Sequence, residues 1–291
     1  MNRLLAALIC LAASLHAAPP EAILIAVGDQ HSASSRTAQF VARIDHLKAA
    51  NPGVPLAVLI DGDAFELGNE VARRSGGAIE FAMFRALADR VPTVLNVGNH
   101  EPEFYDVADV IARIQATGVT VISNLVNRAT GRPFVPAATH LKLGAHEVVI
   151  VGLTTDLLAQ YRAAVRPTLD PTNPVVWAKQ NFPSLLPSAS LGIVLSHSGL
   201  KYDRDLLPLV PDGTLFVGAH DHQRFVHRTG RTEYFQSGAW NRHLSVARLR
   251  YQSGQPVWEI EQMPIDAADP ADPDLAKMIN ETEAKYAAAE D

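Results

Sequence analysis

Cysteine is all but absent. The 291 residues hold one, Cys10, and it sits in an N-terminal apolar stretch read below as a removable signal. The rest of the chain then has no thiol, which excludes disulfides and thiolate metal sites. Any metal must be held by His, Asp, Asn or Glu. A basic excess is lacking too. Lys and Arg number 25 against 31 Asp and Glu, a formal net charge of −6, which argues against a nucleic-acid polymer as partner. It leaves a phosphate substrate open, because bound cations would supply the positive field. Long apolar runs are missing beyond the N-terminus, so no later segment reads as a membrane span.

At the N-terminus, Arg3 precedes an apolar run from Leu4 to Leu15 and small residues at Ala17 and Ala18. That is the form of a secretory signal, and the run is too short to cross a bilayer. The expected location is the periplasm or the outside. The apolar fraction of 47% suits a sizeable core, and the length allows one large domain or two small ones.

The first half alternates apolar runs with helical periodicity. Ala22–Gly28, Leu56–Ile60 and Val94–Val97 read as buried strands, and Thr120–Ile122 as a short fourth. Arg36–Ala50, Ala78–Arg90 and the stretch carrying Val107, Val110, Ile111 and Ile114 read as helices. Phe65–Gly77 lacks periodicity and reads as a loop over the site. This alternation predicts a largely parallel sheet whose loops share one edge. In the second half, Glu147–Leu153, Leu191–Leu195 and Thr214–Val217 read as strands. The connection Thr154–Ser190 is long and Pro-rich, with Tyr161, Trp177 and Phe182, and is expected to form a functional rim. Short β-like runs from Gln223 to about Met263 suggest an antiparallel set completing a second sheet. A final polar helix is expected from Asp274 to about Glu290.

Five of the apolar runs end in the same kind of residue. They run into Asp29-Gln30-His31, Gly62-Asp63, Gly98-Asn99-His100-Glu101, Ser196-His197 and His220-Asp221-His222. Carboxylate, amide and imidazole are the ligand types of borderline divalent metals. Open α/β sheets place their sites at strand C-termini, so these residues should converge. One carboxylate can bridge two ions, and Asp63 in its Gly-Asp turn is the candidate. Two ions about 3.5–4 Å apart would clamp a phosphoryl group and activate a water. His100 follows Asn99 but should point elsewhere, toward the leaving group, with Glu103 close enough to keep it protonated. Asn124 follows a strand and is a candidate for ordering a ligand. Asp61 reads as a supporting or strand-end group, and His243 as a surface or capping residue, with the site rim as its lesser alternative.

These motifs resemble the calcineurin-like metallophosphoesterase superfamily, and within it the N-terminal domains of secreted 5′-nucleotidases and 2′,3′-cyclic-nucleotide phosphodiesterases. Gly152-Leu153-Thr154-Thr155 and Gln236-Ser237-Gly238-Ala239 resemble further signatures of that group. The resemblance runs from Asp29 to about Leu249. It implies a four-layer α/β sandwich of two mixed sheets flanked by helices, and hydrolysis of phosphoesters by in-line attack of a metal-bridging water. It implies one metal held by Asp29, His31, Asp63 and His222, and a second by Asp63, Asn99, His197 and His220. The ions would be manganese, zinc, iron or magnesium. His100 would be the catalytic histidine, with Glu103 where the nucleotidases have Asp. Gly28 and Ser32 stand where the family commonly has Asn-Asp before and Gly after the first ligand pair. Gly218-Ala219-His220-Asp221-His222 stands for the usual Gly-His-x-His.

The expected organisation is a signal at 1–18, a metallophosphoesterase domain at 19–265, and a linker and helix at 266–291 without the nucleotidases' second, base-sandwiching domain. The expected substrate is a small phosphate ester, with a nucleotide as one candidate. A cyclic-nucleotide diesterase, and a non-catalytic metal- or ligand-binding protein on the same scaffold, are the alternatives. Oligomeric state is not legible in the sequence.

Overall fold

Strands outnumber helices, and they gather into two six-stranded sheets. The computed structural model describes residues 18–188 and 190–286. Cys10 and the rest of the predicted signal up to residue 17 lie outside the described residues, as does the end of the predicted last helix.

In chain order the strands are β1 (Ala22–Gly28), β2 (Leu56–Asp61), β3 (Thr93–Asn96) and β4 (Thr120–Ile122). A two-residue ladder follows, β5 (Val126–Asn127) with β6 (Arg132–Pro133), then β7 (Ala138–Leu143), β8 (His146–Thr154), β9 (Leu191–His197) and β10 (Leu215–Gly218). The last four are β11 (Arg224–Thr229), β12 (Thr232–Ser237), β13 (His243–Gln252) and β14 (Gln255–Pro264). The helices are α1 (Thr37–Ala50), α2 (Glu70–Ser75), α3 (Ala78–Ala88), α4 (Val107–Gln115), α5 (Pro174–Leu185), α6 (Leu200–Leu206) and α7 (Pro273–Tyr286).

Sheet one runs β14-β13-β1-β2-β3-β4 and sheet two β11-β12-β10-β9-β8-β7. Strands β1 to β4 are mutually parallel, as are β8, β9, β10 and β12. Antiparallel strands close the edges, β13 and β14 on the first sheet, β7 and β11 on the second.

Side-chain alternation explains the layering. Along β1, Ile23, Ile25 and Val27 face the helices, while Ala22, Leu24 and Ala26 face the other sheet. Along β8, Val148 and Ile150 face inward, while Val149, Val151 and Leu153 meet the outer helices. The result is a four-layer α/β sandwich with three apolar seams. Helices α1, α3, α4 and α7 cover sheet one; α5 and α6 cover sheet two. Trp258 is buried in the central seam, its indole N–H donating to the Gly213 carbonyl at 3.1 Å. The parallel strands of both sheets therefore end on one shared edge.

Several expectations change. The stretch Phe65–Gly77 is not all loop. Glu70–Ser75 forms α2, capped by the Asn69 side chain accepting from the Ala72 N–H at 3.0 Å and ended by Gly76 at φ +64°. Six residues are too few for a periodic signal. The Pro-rich connection contains α5, which Pro174 starts and whose Ala178 and Phe182 pack on sheet two. The strands after Gln223 do not complete one sheet. β11 and β12 join sheet two, with β12 parallel to β10, whereas β13 and β14 extend sheet one. The exposed edge strand β7 and the short helix α6 gave no periodic signal.

Candidate metal centre and active site

The shared edge is built from backbone that ordinary residues avoid. Asp29, His31, Ser32, Asp63, His220, His222, Trp240 and Asn241 all have positive φ, between 47° and 82°. Non-glycine residues are held there only when their surroundings fix them, at about 1–3 kcal/mol each. Ladder-like bonds between turns do the fixing. Asp29 N–H donates to the Gly62 carbonyl (3.0 Å), His31 to Asp63 (2.9 Å), Ser32 to Ala64 (2.9 Å) and Trp240 to Asp29 (2.8 Å). Gly98 is required by space: a methyl there would lie 2.4 Å from Asp63 Oδ1 and 2.8 Å from Asp63 N.

These turns bring the residues named from the sequence together. Asp29, His31 and His222 form one cluster, and Asp63, His197 and His220 a second; within each, the ligand atoms lie within 4.8 Å of one another. His31 Nε2 and His222 Nε2 are 2.9 Å apart. His197 Nε2 stands 2.9 Å from Asp63 Oδ2 and 3.4 Å from His220 Nδ1. The His197 ring is oriented from behind, where Nδ1 donates to the Asp61 carbonyl at 2.7 Å. The His220 backbone N–H donates to both Asp29 oxygens, at 2.9 and 3.0 Å. Asn99 Nδ2 donates to the Gln160 carbonyl at 3.3 Å, while its Oδ1 is buried and has no hydrogen-bond partner.

That donor set fits divalent cations. Neutral imidazole, carboxylate and amide oxygen are ligand types of such ions, and the buried Asn99 Oδ1, which has no hydrogen-bond partner, is costly without one. The charges point the same way. Burial lowers His31 and His220 to about 4, so both are neutral with a free lone pair. Burial raises Asp29 to about 7 against the pull of His197. Burial opposes ionisation of Asp63, yet His197 beside it, with His100 and His31, holds its carboxyl below the usual carboxylate range. His197 is pushed well above its ordinary value by Asp63, Asp29 and Asp61 despite burial.

His100 belongs to neither cluster but groups with His31 and Glu66 beside the first. Its backbone N–H donates to Asp63 Oδ1 at 2.7 Å, and its Nδ1 faces Glu103 Oε1 at 2.7 Å. Burial lowers its pKa, but Glu103, Asp63 and Glu66 outweigh that and raise it to about 9, so it is a cation at neutral pH. Asn124 is buried and spends its Oδ1 on the Thr154 N–H at 2.9 Å, tying the end of β4 to the end of β8. Asp61 is fully buried, and its Oδ1 accepts from Asn96 Nδ2 at 2.8 Å.

Three residues carry weight that the sequence did not reveal. Glu101 is fully buried and accepts from the N–H groups of Gly98 (2.6 Å), Ala64 (2.9 Å) and Asp63 (3.0 Å). It fastens the turn bearing Asn99 and His100 to the turn bearing Asp63; a carboxylate one residue after Asn-His was the available signal. Glu66 reaches His31 Nδ1 at 3.2 Å from the aperiodic stretch, where nothing marked it. Asn96 ties the sheets, its Nδ2 donating to Leu153 and Leu195 carbonyls at 2.7 and 3.3 Å. The Pro-rich connection does reach the site: besides Gln160, Arg162 donates to the Glu103 carbonyl at 2.8 Å. Tyr161 and Phe182 are buried packing residues.

The sequence profile described as calcineurin-like phosphoesterase matches residues 23–224, a span that contains every residue of both clusters. No curated protein matches the chain in sequence. Among solved structures, a 5′-nucleotidase precursor from Thermus thermophilus aligns with a TM-score of 0.72 at 19% identity, covering 91% of this chain and 58% of its own. The NAD nucleotidase of Haemophilus influenzae aligns at 0.70 and 13%, covering 91% and 60%. A sulfate thiohydrolase, also from Thermus thermophilus, aligns at 0.69 and 16%, covering 90% and 47%. At these identities the likeness is one of fold, and the chain spans about half to three fifths of each relative's length. With more than two thirds of its residues under the profile, the chain belongs to the calcineurin-like phosphoesterase family.

Proposed function

We propose that the chain is a two-metal hydrolase of small phosphate esters, with a nucleotide as one candidate substrate. The observation that carries this reading is the adjacency of the two clusters, His197 Nε2 of one lying 3.9 Å from Asp29 Oδ1 of the other. Asp29, His31, Asp63 and His222 would hold one cation, and Asp63, Asn99, His197 and His220 the other. When bound, the two ions neutralise phosphoryl charge and make a water nucleophilic at neutral pH.

The chain's own residues supply the rest. His100 is held by its backbone N–H on Asp63 and its Nδ1 on Glu103. The proton on its other nitrogen is then available to a phosphoryl oxygen or to the departing alkoxide. The ring stands beside the first cluster, 5.0 Å between the His100 and His31 centroids. Glu103 orients that ring and keeps it cationic; the Arg162 bond to the Glu103 carbonyl steadies the turn. Leader residues 1–18 would direct the enzyme out of the cytoplasm, and 19–265 would form the catalytic domain. No helix among the described residues is long and apolar enough to cross a membrane.

The test is hydrolysis of 4-nitrophenyl phosphate by manganese- or zinc-loaded protein, with bis(4-nitrophenyl) phosphate and a 2′,3′-cyclic nucleotide in parallel. Turnover that falls by a factor of about 10²–10⁴ in His100→Ala is expected. Activity of the wild type no greater than that of an Asn99→Ala, His100→Ala double variant would overturn the proposal. Full metal content with no turnover on any ester would favour a binding protein.

A further inference from the structure

One rim of the site carries positive charge that the catalytic reading does not use. Arg36 precedes α1, Arg224 opens β11, and Arg242 and His243 follow the strained turn of Trp240 and Asn241. Asn241 Nδ2 donates to the Ala33 carbonyl at 3.3 Å and to Thr37 Oγ1 at 3.1 Å, which ties the stretch bearing Arg36 to the turn before Arg242. A methyl on Gly238 would lie 3.6 Å from Arg224 Cβ and 3.9 Å from His243 Nδ1. Burial, then Arg224, Arg242 and Arg36 in that order, lowers the His243 pKa; Asp266 opposes them more weakly.

Among the described residues none of these three guanidinium groups has a carboxylate partner, and Arg36 Nε is buried without any partner. The same strands treat their other arginines differently. On β13, Arg248 and Arg250 pair with Glu261 and Glu259 of β14 at 2.8 and 2.7 Å. On β11, Arg228 pairs with Glu233 of β12. At the site end the cross-strand neighbours carry no acid: Ser237 opposite Arg224, and Pro264 opposite His243. Unpaired guanidinium groups brought together repel one another, and an anion between them removes that cost.

Trp240 links this rim to the metal centre. Trp240 is 39% exposed, between the buried Ala239 and Asn241. The ring centroid is 4.9 Å from that of His222, and the Arg242 guanidinium carbon is 5.0 Å from the Trp240 centroid. The guanidinium is therefore no more than about 10 Å from the His222 ring. That is the reach of a compact leaving group.

We propose that Arg36, Arg224 and Arg242, joined to the metal centre by Trp240, form a subsite for a second anionic group, a carboxylate or a phosphate, on the leaving portion of the substrate. This rests on the phosphoesterase reading of the same site and narrows its substrate class to esters that carry two anions.

The experiment compares phenyl phosphate, 4-carboxyphenyl phosphate and 1,4-phenylene bisphosphate on the metal-loaded full chain. The expected result is a KM lower by about 10-fold or more for at least one of the two esters with an anionic tail. An Arg224→Gln, Arg242→Gln variant brings that ratio close to one, while Arg132→Gln, on the exposed ladder of β5 and β6, keeps it. A preference for both esters marks a general anion site, and for the bisphosphate alone a phosphate site; either supports the proposal. Turnover of all three esters with equal KM, or a preference that survives the double substitution, overturns it and leaves the phosphoesterase reading standing. If no ester turns over, that reading fails, and affinities for phenylphosphonate and 4-carboxyphenylphosphonate, measured by calorimetry, still decide the rim. Equal affinities, or no binding of either, overturn it.

Discussion

Replacing Gly98 by alanine should uncouple the two halves of the site. The added methyl would meet Asp63 Oδ1 at 2.4 Å, Asp63 N at 2.8 Å and Glu101 Oε2 at 3.0 Å. The nearest of these is a carboxylate fixed by the His100 N–H at 2.7 Å, and the second is backbone, so neither can swing aside. Overpacking of this kind costs about 1–3 kcal/mol. Relief requires the Gly98 turn to retreat from Glu101, which breaks the 2.6 Å bond from the Gly98 N–H to that carboxylate. A hydrogen bond to a charged group is worth about 1.5–3 kcal/mol. The sum is about 2.5–6 kcal/mol, a large share of the stability of an ordinary domain. Urea unfolding in the presence of chelator isolates this from metal binding, and the variant's midpoint should fall with an unchanged slope. Metal content of the folded variant should fall as well, because Asp63 moves. A variant within about 0.5 kcal/mol of wild type that retains full metal content would refute the packing argument.

Glu101→Gln presents an amide N–H₂ to one of the three backbone donors it now accepts from. Metal affinity should drop by about 10–100-fold, the usual cost of losing a group that orients ligands; titration with manganese checks this, and unchanged affinity would contradict it. Asp203 is buried between the Ser196 and Tyr234 hydroxyls, and burial raises its pKa from 3.8 to about 7 against those bonds. The folded state then holds this proton more tightly than the unfolded one. Stability from this group is full below about pH 4 and is lost as pH rises through 7. Asp203→Asn should flatten that decline, by a few kcal/mol at most between about pH 4.5 and 7.5; parallel pH profiles in chelator would count against it. Trp258→Ala should cost about 3–5 kcal/mol by opening the central seam, with metal content per folded chain unchanged.

The fold was legible where one period dominated. β1 is found at Ala22–Gly28 as read, and β2 and β3 within a residue at each end. Their residues are buried on both faces, so continuous apolar runs mark them. What failed was short or two-sided. The six residues of α2 make one and a half turns and are held by the Asn69 cap. β7 is a half-exposed edge with no clean alternation. Assigning β11–β14 to sheets depends on long-range pairing, Ala26 with Ser245 for instance, that local sequence does not encode.

At the site, the seven expected metal-binding side chains share one edge because each lies at or just beyond the C-terminal end of a strand. Residues that act from behind were harder to see. Glu101 works through backbone N–H groups of three separate positions, and Glu66 reaches His31 across 35 positions of chain. Trp240 and the unpaired arginines become notable only once their neighbours are known.

The account's central claim is that side chains scattered from Asp29 to His222 enclose a pair of cations. Metal analysis of the chain after loading with manganese and removal of free ions tests it most directly, read beside Asp63→Ala, which removes the carboxylate shared by both proposed sites. About two ions per wild-type chain and a loss of at least half of them in the variant are predicted. A wild-type chain that retains no metal, or a variant that binds as much as wild type, would contradict it.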